Sequence, residues 1–142
     1  MTHVRFGEKV FSPTVEEGTA HVVFAFEKLE AARFRHYCDK ENGLILSSTT
    51  VIEPAPVLNK ECEYPMNTAE IITGEGYKYL ECDADALAKQ AGNPQAMNSA
   101  MLGKLCALMG FDREAMLEAL MEVVPPKTKE VNKKAFELGL AA

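Results

Sequence analysis

A chain of 142 residues, 47% hydrophobic and 25% charged, is long enough to bury a core and too apolar to stay disordered, so one domain over residues 1–142 is expected. Its net charge of −6, without a basic stripe, would repel a phosphate backbone and excludes nucleic acid as a partner. No apolar run approaches the length that spans a bilayer and Met1-Thr2-His3-Val4-Arg5 is no signal peptide, so no membrane role and a cytoplasmic setting are expected.

The pattern at the start predicts a short hairpin. His3-Val4-Arg5-Phe6-Gly7 and Lys9-Val10-Phe11-Ser12 alternate polar and apolar around Gly7-Glu8, and Ser12-Pro13 ends the second limb. His21-Val22-Val23-Phe24-Ala25-Phe26 is a continuous apolar run, the pattern of a strand covered on both faces. A helix is predicted over residues 27–37, with Leu29, Ala32 and Phe34 inward and Glu27, Lys28 and Glu30 on its outer face. Asn42-Gly43 breaks it, and Leu44-Ile45-Leu46 is the next buried strand, closing a βαβ unit.

Pro54, Pro56 and Pro65 mark an irregular stretch over residues 51–66, and a short helix starts near Asn67-Thr68. Residues 77–82 read as a third strand, and Asp83-Ala84-Asp85 turns the chain toward helix. Beyond this point the pattern is helical. Asn93 is a good N-cap with Pro94 at the first position, and the wide apolar stripe from Met97 to Met109 predicts a buried helix ended by Gly110. Gly103 in mid-helix is unfavourable by about 1 kcal/mol relative to alanine, which points to close approach of another backbone. Asp112 caps a further helix stopped by Pro125-Pro126, and Thr128 caps a last one reaching about Leu140.

Little in the chain reads as chemistry. Cys38, Cys62, Cys82 and Cys106 are scattered without C-x-x-C, zinc or cluster spacing, and read as reduced structural thiols. His3, His21 and His36 form no ligand pair. Ligands of open α/β sheets gather beyond the carboxyl ends of the strands. There the sequence places the hydroxyls of Ser47, Ser48, Thr49 and Thr50, which read first as turn formers, and Asp83, which with Asp85 reads first as a cap. Asn93 and Asn98 at a helix start could face the same crevice. Gly74-Glu75-Gly76 lacks a third glycine and precedes a strand, so it is no dinucleotide motif. Arg33, Arg35 and His36 read as a solvated basic face. No catalytic or metal-binding set assembles.

Several segments together resemble a known family. They are the two hairpin limbs, Phe24-Ala25-Phe26-Glu27-Lys28-Leu29-Glu30-Ala31, Gly92-Asn93-Pro94-Gln95-Ala96-Met97-Asn98, and Val124-Pro125-Pro126-Lys127-Thr128 with Asn132 and Ala135-Phe136-Glu137-Leu138-Gly139. In this order they resemble the gamma-type subunit of 2-oxoacid:ferredoxin oxidoreductases, nearest to the beta subunit of indolepyruvate ferredoxin oxidoreductase. The resemblance implies an α/β fold, Rossmann-like, with a mostly parallel sheet, flanking helices and a helical C-terminal half. It implies a non-thiamine subunit that helps to oxidise a 2-oxoacid to acyl-CoA and pass electrons to ferredoxin. Thiamine diphosphate, iron–sulfur clusters and coenzyme A are then expected on a thiamine-binding large subunit or elsewhere in the complex, none on this chain. The family's opening glycine-rich strand–turn–helix is missing before His3, so an N-terminally truncated domain is expected, with a sheet edge open to a partner or to a second copy.

The residues expected to face a partner or ligand are His3, Arg5, Ser48, Asp83, Asn93 and Asn98. A reading from another class is a free-standing module that binds a nucleotide or coenzyme A near Ser48, Asp83 and Asn93. A third is a fragment that serves only oligomer formation.

Overall fold

Three apolar runs become three strands in the computed structural model, which describes every residue from Met1 to Ala142. They are β1 (Val22–Ala25), β2 (Leu44–Ser48) and β3 (Tyr79–Cys82), in the order β1-β2-β3. β1 pairs parallel with β2, Val22 opposite Leu44 and Ala25 opposite Ser47. β3 joins β2 through Ile45 N–H to the Lys78 carbonyl (2.9 Å), and beyond the strands Thr49 N–H donates to the Cys82 carbonyl (3.0 Å). With three strands and seven α-helices, the α/β class expected from the sequence holds. The chain divides into two compact units, residues 1–47 with 51–80 and residues 48–50 with 81–142.

In the first unit, α1 (Lys28–Phe34), a 3-10 turn, α2 (Ala55–Leu58) and α3 (Thr68–Gly74) accompany the strands. The core is Ala25, Ala31, Ala32, Cys38, Ile45, Ile72 and Tyr77, with Val23 and Tyr79 against it. β2 is covered as its sequence predicts, with Ile45 and Leu46 fully buried. β1 is not: as an outer strand it leaves Val22, Val23 and Phe24 half-buried. Helix α1 buries Ala31 and Ala32, whereas Leu29 and Phe34 stay half-buried. Arg33 and His36 are exposed as read, whereas Arg35 is only partly exposed and ion-paired. Its guanidinium grips Glu75 through Nε (2.8 Å) and Nη2 (2.5 Å), which ties α3 to the end of α1.

The predicted N-terminal hairpin does not form, and residues 1–19 contain no strand. Side chains hold this segment instead of a ladder. Arg5 Nη1 donates to the Ser12 and Thr14 carbonyls (3.1 and 3.0 Å), and Val15 N–H donates to His3 Nδ1 (2.9 Å). Alternation fixed which residues are polar, but the polar ones reach across to the backbone themselves.

The second unit contains α4 (Ala84–Ala91), a 3-10 turn (Pro94–Ala96), α5 (Met97–Met109), α6 (Arg113–Val123) and α7 (Lys129–Ala141). Asn93 caps the 3-10 turn, accepting from Gln95 N–H (2.9 Å), and α5 starts one turn later than the sequence suggests. Met101, Ala100 and Cys106 are buried as expected, and Gly110, at φ +64°, ends the helix. Gly103 is explained. A Cβ there would lie 2.9 Å from the Phe136 carbonyl carbon, so α7 crosses α5 backbone to backbone at this point. Gly139 is its counterpart, where a Cβ would come within 2.8 Å of the Ala100 carbonyl carbon. Ser99 is buried and donates to Asn132 Oδ1 (2.6 Å). Asp112 caps α6 through Ala115 N–H (2.9 Å). Thr128 does not cap α7, because its hydroxyl donates backwards to the Pro125 carbonyl (3.0 Å).

Candidate functional site

Beyond the end of β2 the four hydroxyl residues do not form a simple turn. Ser47 and Ser48 continue the strand and are fully buried. Burial requires each hydroxyl to find a partner, since an unpaired one costs about 1–3 kcal/mol. Ser48 Oγ lies 2.7 Å from Thr50 Oγ1 and accepts from Thr50 N–H (3.2 Å). Thr50 Oγ1 lies 2.7 Å from Asp85 Oδ2, to which it donates, and 3.4 Å from Met97 Sδ. This chain of polar atoms ties the β2 end to the first turn of α4 and the start of α5. Asp83 caps α4 through Ala86 N–H (3.0 Å), as its sequence position suggests. Asp85 does not cap; it takes the Thr50 hydroxyl.

We expect Thr50→Val, which keeps the shape and removes the hydroxyl's contacts with Ser48, Asp85 and Met97, to lower unfolding free energy by about 1–2 kcal/mol in urea titration. A loss below about 0.3 kcal/mol would show that this chain of contacts contributes nothing to stability.

Of the residues singled out from sequence, Ser48, Asp83, Asn93 and Asn98 belong to the second unit, where Met97 brings its sulfur to 4.0 Å from Ser48 Oγ. Asp83 and Asn93 are occupied as caps, and Asn98 is exposed on the first turn of α5. His3 and Arg5 belong to the first unit and brace the N-terminal segment, with His3 also edge-on to Tyr37 (5.4 Å between ring centres).

A carboxylate that sequence reasoning placed on the outer face is the most constrained charge in the first unit. Glu27, two residues after β1, is only 6% exposed. Its Oε2 accepts from Glu30 N–H (2.9 Å) and caps α1, and its Oε1 accepts from the Tyr64 phenol and from Ile52 N–H (3.4 Å). Burial pushes this carboxyl up. The Tyr64 phenol and the N–H groups of Glu30, Leu29 and Ile52 outweigh that, so it sits below the usual glutamate range. The same burial, with Glu27 beside it, drives the Tyr64 phenol far up. The available signal was positional: a carboxylate ending an apolar strand, three residues before Glu30, fits a cap better than a face. Tyr64 carries no comparable local signal.

Cys38, Cys82 and Cys106 are buried and Cys62 is exposed. Burial, with Asp39 nearby, pushes Cys38 up to about 11, and burial also raises Cys82 and Cys106.

A parallel sheet and its accompanying helices, with strand ends joined to helix starts by hydroxyl and carboxylate contacts, place the chain in the open α/β class. Residues 1–142 match the family model described as pyruvate ferredoxin/flavodoxin oxidoreductase, and the chain belongs to that family. It is 38% identical over 147 residues to the indolepyruvate oxidoreductase subunit IorB of Thermococcus kodakarensis, a match covering all of this chain and 72% of that protein. The subunit of the same name from Pyrococcus horikoshii is 37% identical, with the same coverage. The crystal structure of a keto/oxoacid ferredoxin oxidoreductase gamma subunit from Geobacter sulfurreducens superposes with a TM-score of 0.62 at 23% identity, over 88% of this chain and 67% of that one. At that identity it is the fold that is shared.

Proposed function

We propose that this chain is the non-thiamine subunit of a 2-oxoacid:ferredoxin oxidoreductase acting on indolepyruvate or a pyruvate-like acid. The observation that carries this reading is the whole-chain similarity to indolepyruvate oxidoreductase subunits, together with the family match over residues 1–142. In this reading residues 1–142 act as one gamma-type domain that contributes to oxidative decarboxylation of the 2-oxoacid to acyl-CoA and is not catalytic alone. Thiamine diphosphate, iron–sulfur clusters and coenzyme A are carried by a large partner subunit or elsewhere in the complex, which delivers electrons to ferredoxin in the cytoplasm. No helix of this chain is long and apolar enough to cross a membrane.

The partner-facing residues are assigned to His3, Arg5, Asn93 and Asn98. Arg5 and His3 act by holding the N-terminal segment in shape, which leaves Val4 and Phe11, 74% and 89% exposed, as its contact groups. The free-standing ligand module has less support, because Ser48 is buried and its hydroxyl already engages Thr50.

Co-expression with a thiamine-binding large subunit tests the proposal. The two chains should co-elute at micromolar concentration, and 2-oxoacid- and coenzyme-A-dependent dye reduction should exceed that of either chain alone by at least tenfold. Independent elution with no gain in activity would overturn it.

A further inference from the structure

Residues 52–64 form a loop with no buried residue, and only Pro54, Val57 and Tyr64 are even half-covered. Its internal order is its own. Leu58 and Val57 N–H donate to the Pro54 carbonyl, and α2 closes with Lys60 N–H on the Val57 carbonyl (2.9 Å) and Glu61 N–H on the Pro56 carbonyl (2.8 Å). Lys60 takes the left-handed conformation (φ 60°) that lets the chain reverse there. The hydrogen bonds that leave this loop converge on one place. Ile52 N–H, at one end, and the Tyr64 phenol, at the other, both reach Glu27 Oε1. The Leu29 N–H, in the first turn of the helix that Glu27 caps, also acts on the phenol.

A loop with no fully buried residue, ordered by local contacts and fastened at its neck, has the makings of a unit that opens independently of the core. We propose that residues 52–64 are a flap that opens as one body, and that the Tyr64–Glu27 contact is its latch. Pro65 stiffens one side of the neck, and Val51, 43% exposed, gives way on the other. When the flap opens, Glu27 keeps its cap on Glu30 N–H but loses the phenol and the Ile52 amide. A carboxylate at the carboxyl end of β1, otherwise shut away, then meets solvent, at the strand end where α/β sheets receive ligands.

The flap carries its own reporters. Lys60 is its one trypsin site, and Cys62 is the one exposed thiol of the chain. In the full chain, Tyr64→Phe keeps the ring and removes the latch. We expect cleavage after Lys60 to accelerate at least tenfold, with cleavage after Lys89 and Lys104 unchanged. A fluorophore on Cys62 should show a matching fall in anisotropy. A rate at Lys60 unchanged by Tyr64→Phe would overturn the proposal. So would an equal acceleration at all three lysines, which would mean that the phenol stabilises the whole fold and holds no separate flap.

Discussion

Gly103→Ala is expected to destabilise the chain by about 3 kcal/mol or more, although the same change in an ordinary helix interior stabilises by about 1 kcal/mol. The sign is decided by the crossing of α5 and α7. An added methyl would sit 2.9 Å from the Phe136 carbonyl carbon and 3.0 Å from the Leu140 nitrogen, both backbone atoms that cannot rotate away. The helices would have to separate, and the residues packed beside the crossing, Phe136, Met101, Ala100 and Ala135, all fully buried, would lose contact together. Burial of the Phe136 side chain alone contributes about 1.5–3 kcal/mol. For a domain of this size the loss corresponds to a fall in thermal midpoint of roughly 10 °C, read by circular dichroism. Gly74→Ala is the control. It lies at the end of α3 with nothing within 4 Å of an added Cβ, and should be neutral or slightly stabilising. A midpoint for Gly103→Ala at or above the parent's would refute the close crossing.

That crossing also shows what a single sequence can and cannot tell. Gly103 announced itself, because a glycine in the middle of an apolar helix needs a reason and close approach is the common one. Its counterpart Gly139 did not, because nothing local links two residues on different helices. The buried strands were legible for the same kind of reason: unbroken apolar runs such as Leu44-Ile45-Leu46 have few other uses. Where side chains took over a backbone's role, the reading failed. The alternation around Arg5 looked like a hairpin, yet the Arg5 guanidinium itself supplies the cross-links. Ser47 and Ser48 looked like turn residues, because a buried hydroxyl is tolerable only with partners; those of Ser48, Thr50 and through it Asp85, come from beyond the strand. Glu27 looked solvated because its partner Tyr64 lies 37 residues away. Long-range polar pairing leaves no periodic trace, so the candidate site was less legible than the fold around it.

Glu27→Ala should cost about 3 kcal/mol, the second large effect expected. The change removes a helix cap, usually about 1 kcal/mol, and leaves the half-buried Tyr64 hydroxyl without its acceptor, at about 1–3 kcal/mol for a group kept from water. The pH dependence separates the charge from the shape. Glu27 is held below the usual glutamate range in the folded chain, so the folded state binds this proton less readily than the unfolded state does. Its contribution is therefore fully present above the unfolded value, roughly pH 4.3, and is lost as pH falls through the lower folded value. Glu27→Gln preserves size and an acceptor oxygen but cannot ionise. The stability gap between parent and Glu27→Gln should stay constant from pH 8 to 5 and shrink below about pH 4. Asp39, held low by the Asn42 and Glu41 N–H groups, and Glu75, held low by Arg35, titrate in the same region. Both are present in parent and variant alike, so they cancel in the difference. Urea titrations of the two proteins at five pH values would measure it, and a gap that widened on acidification would mean that the carboxyl is protonated in the fold and that Tyr64 meets a neutral acid.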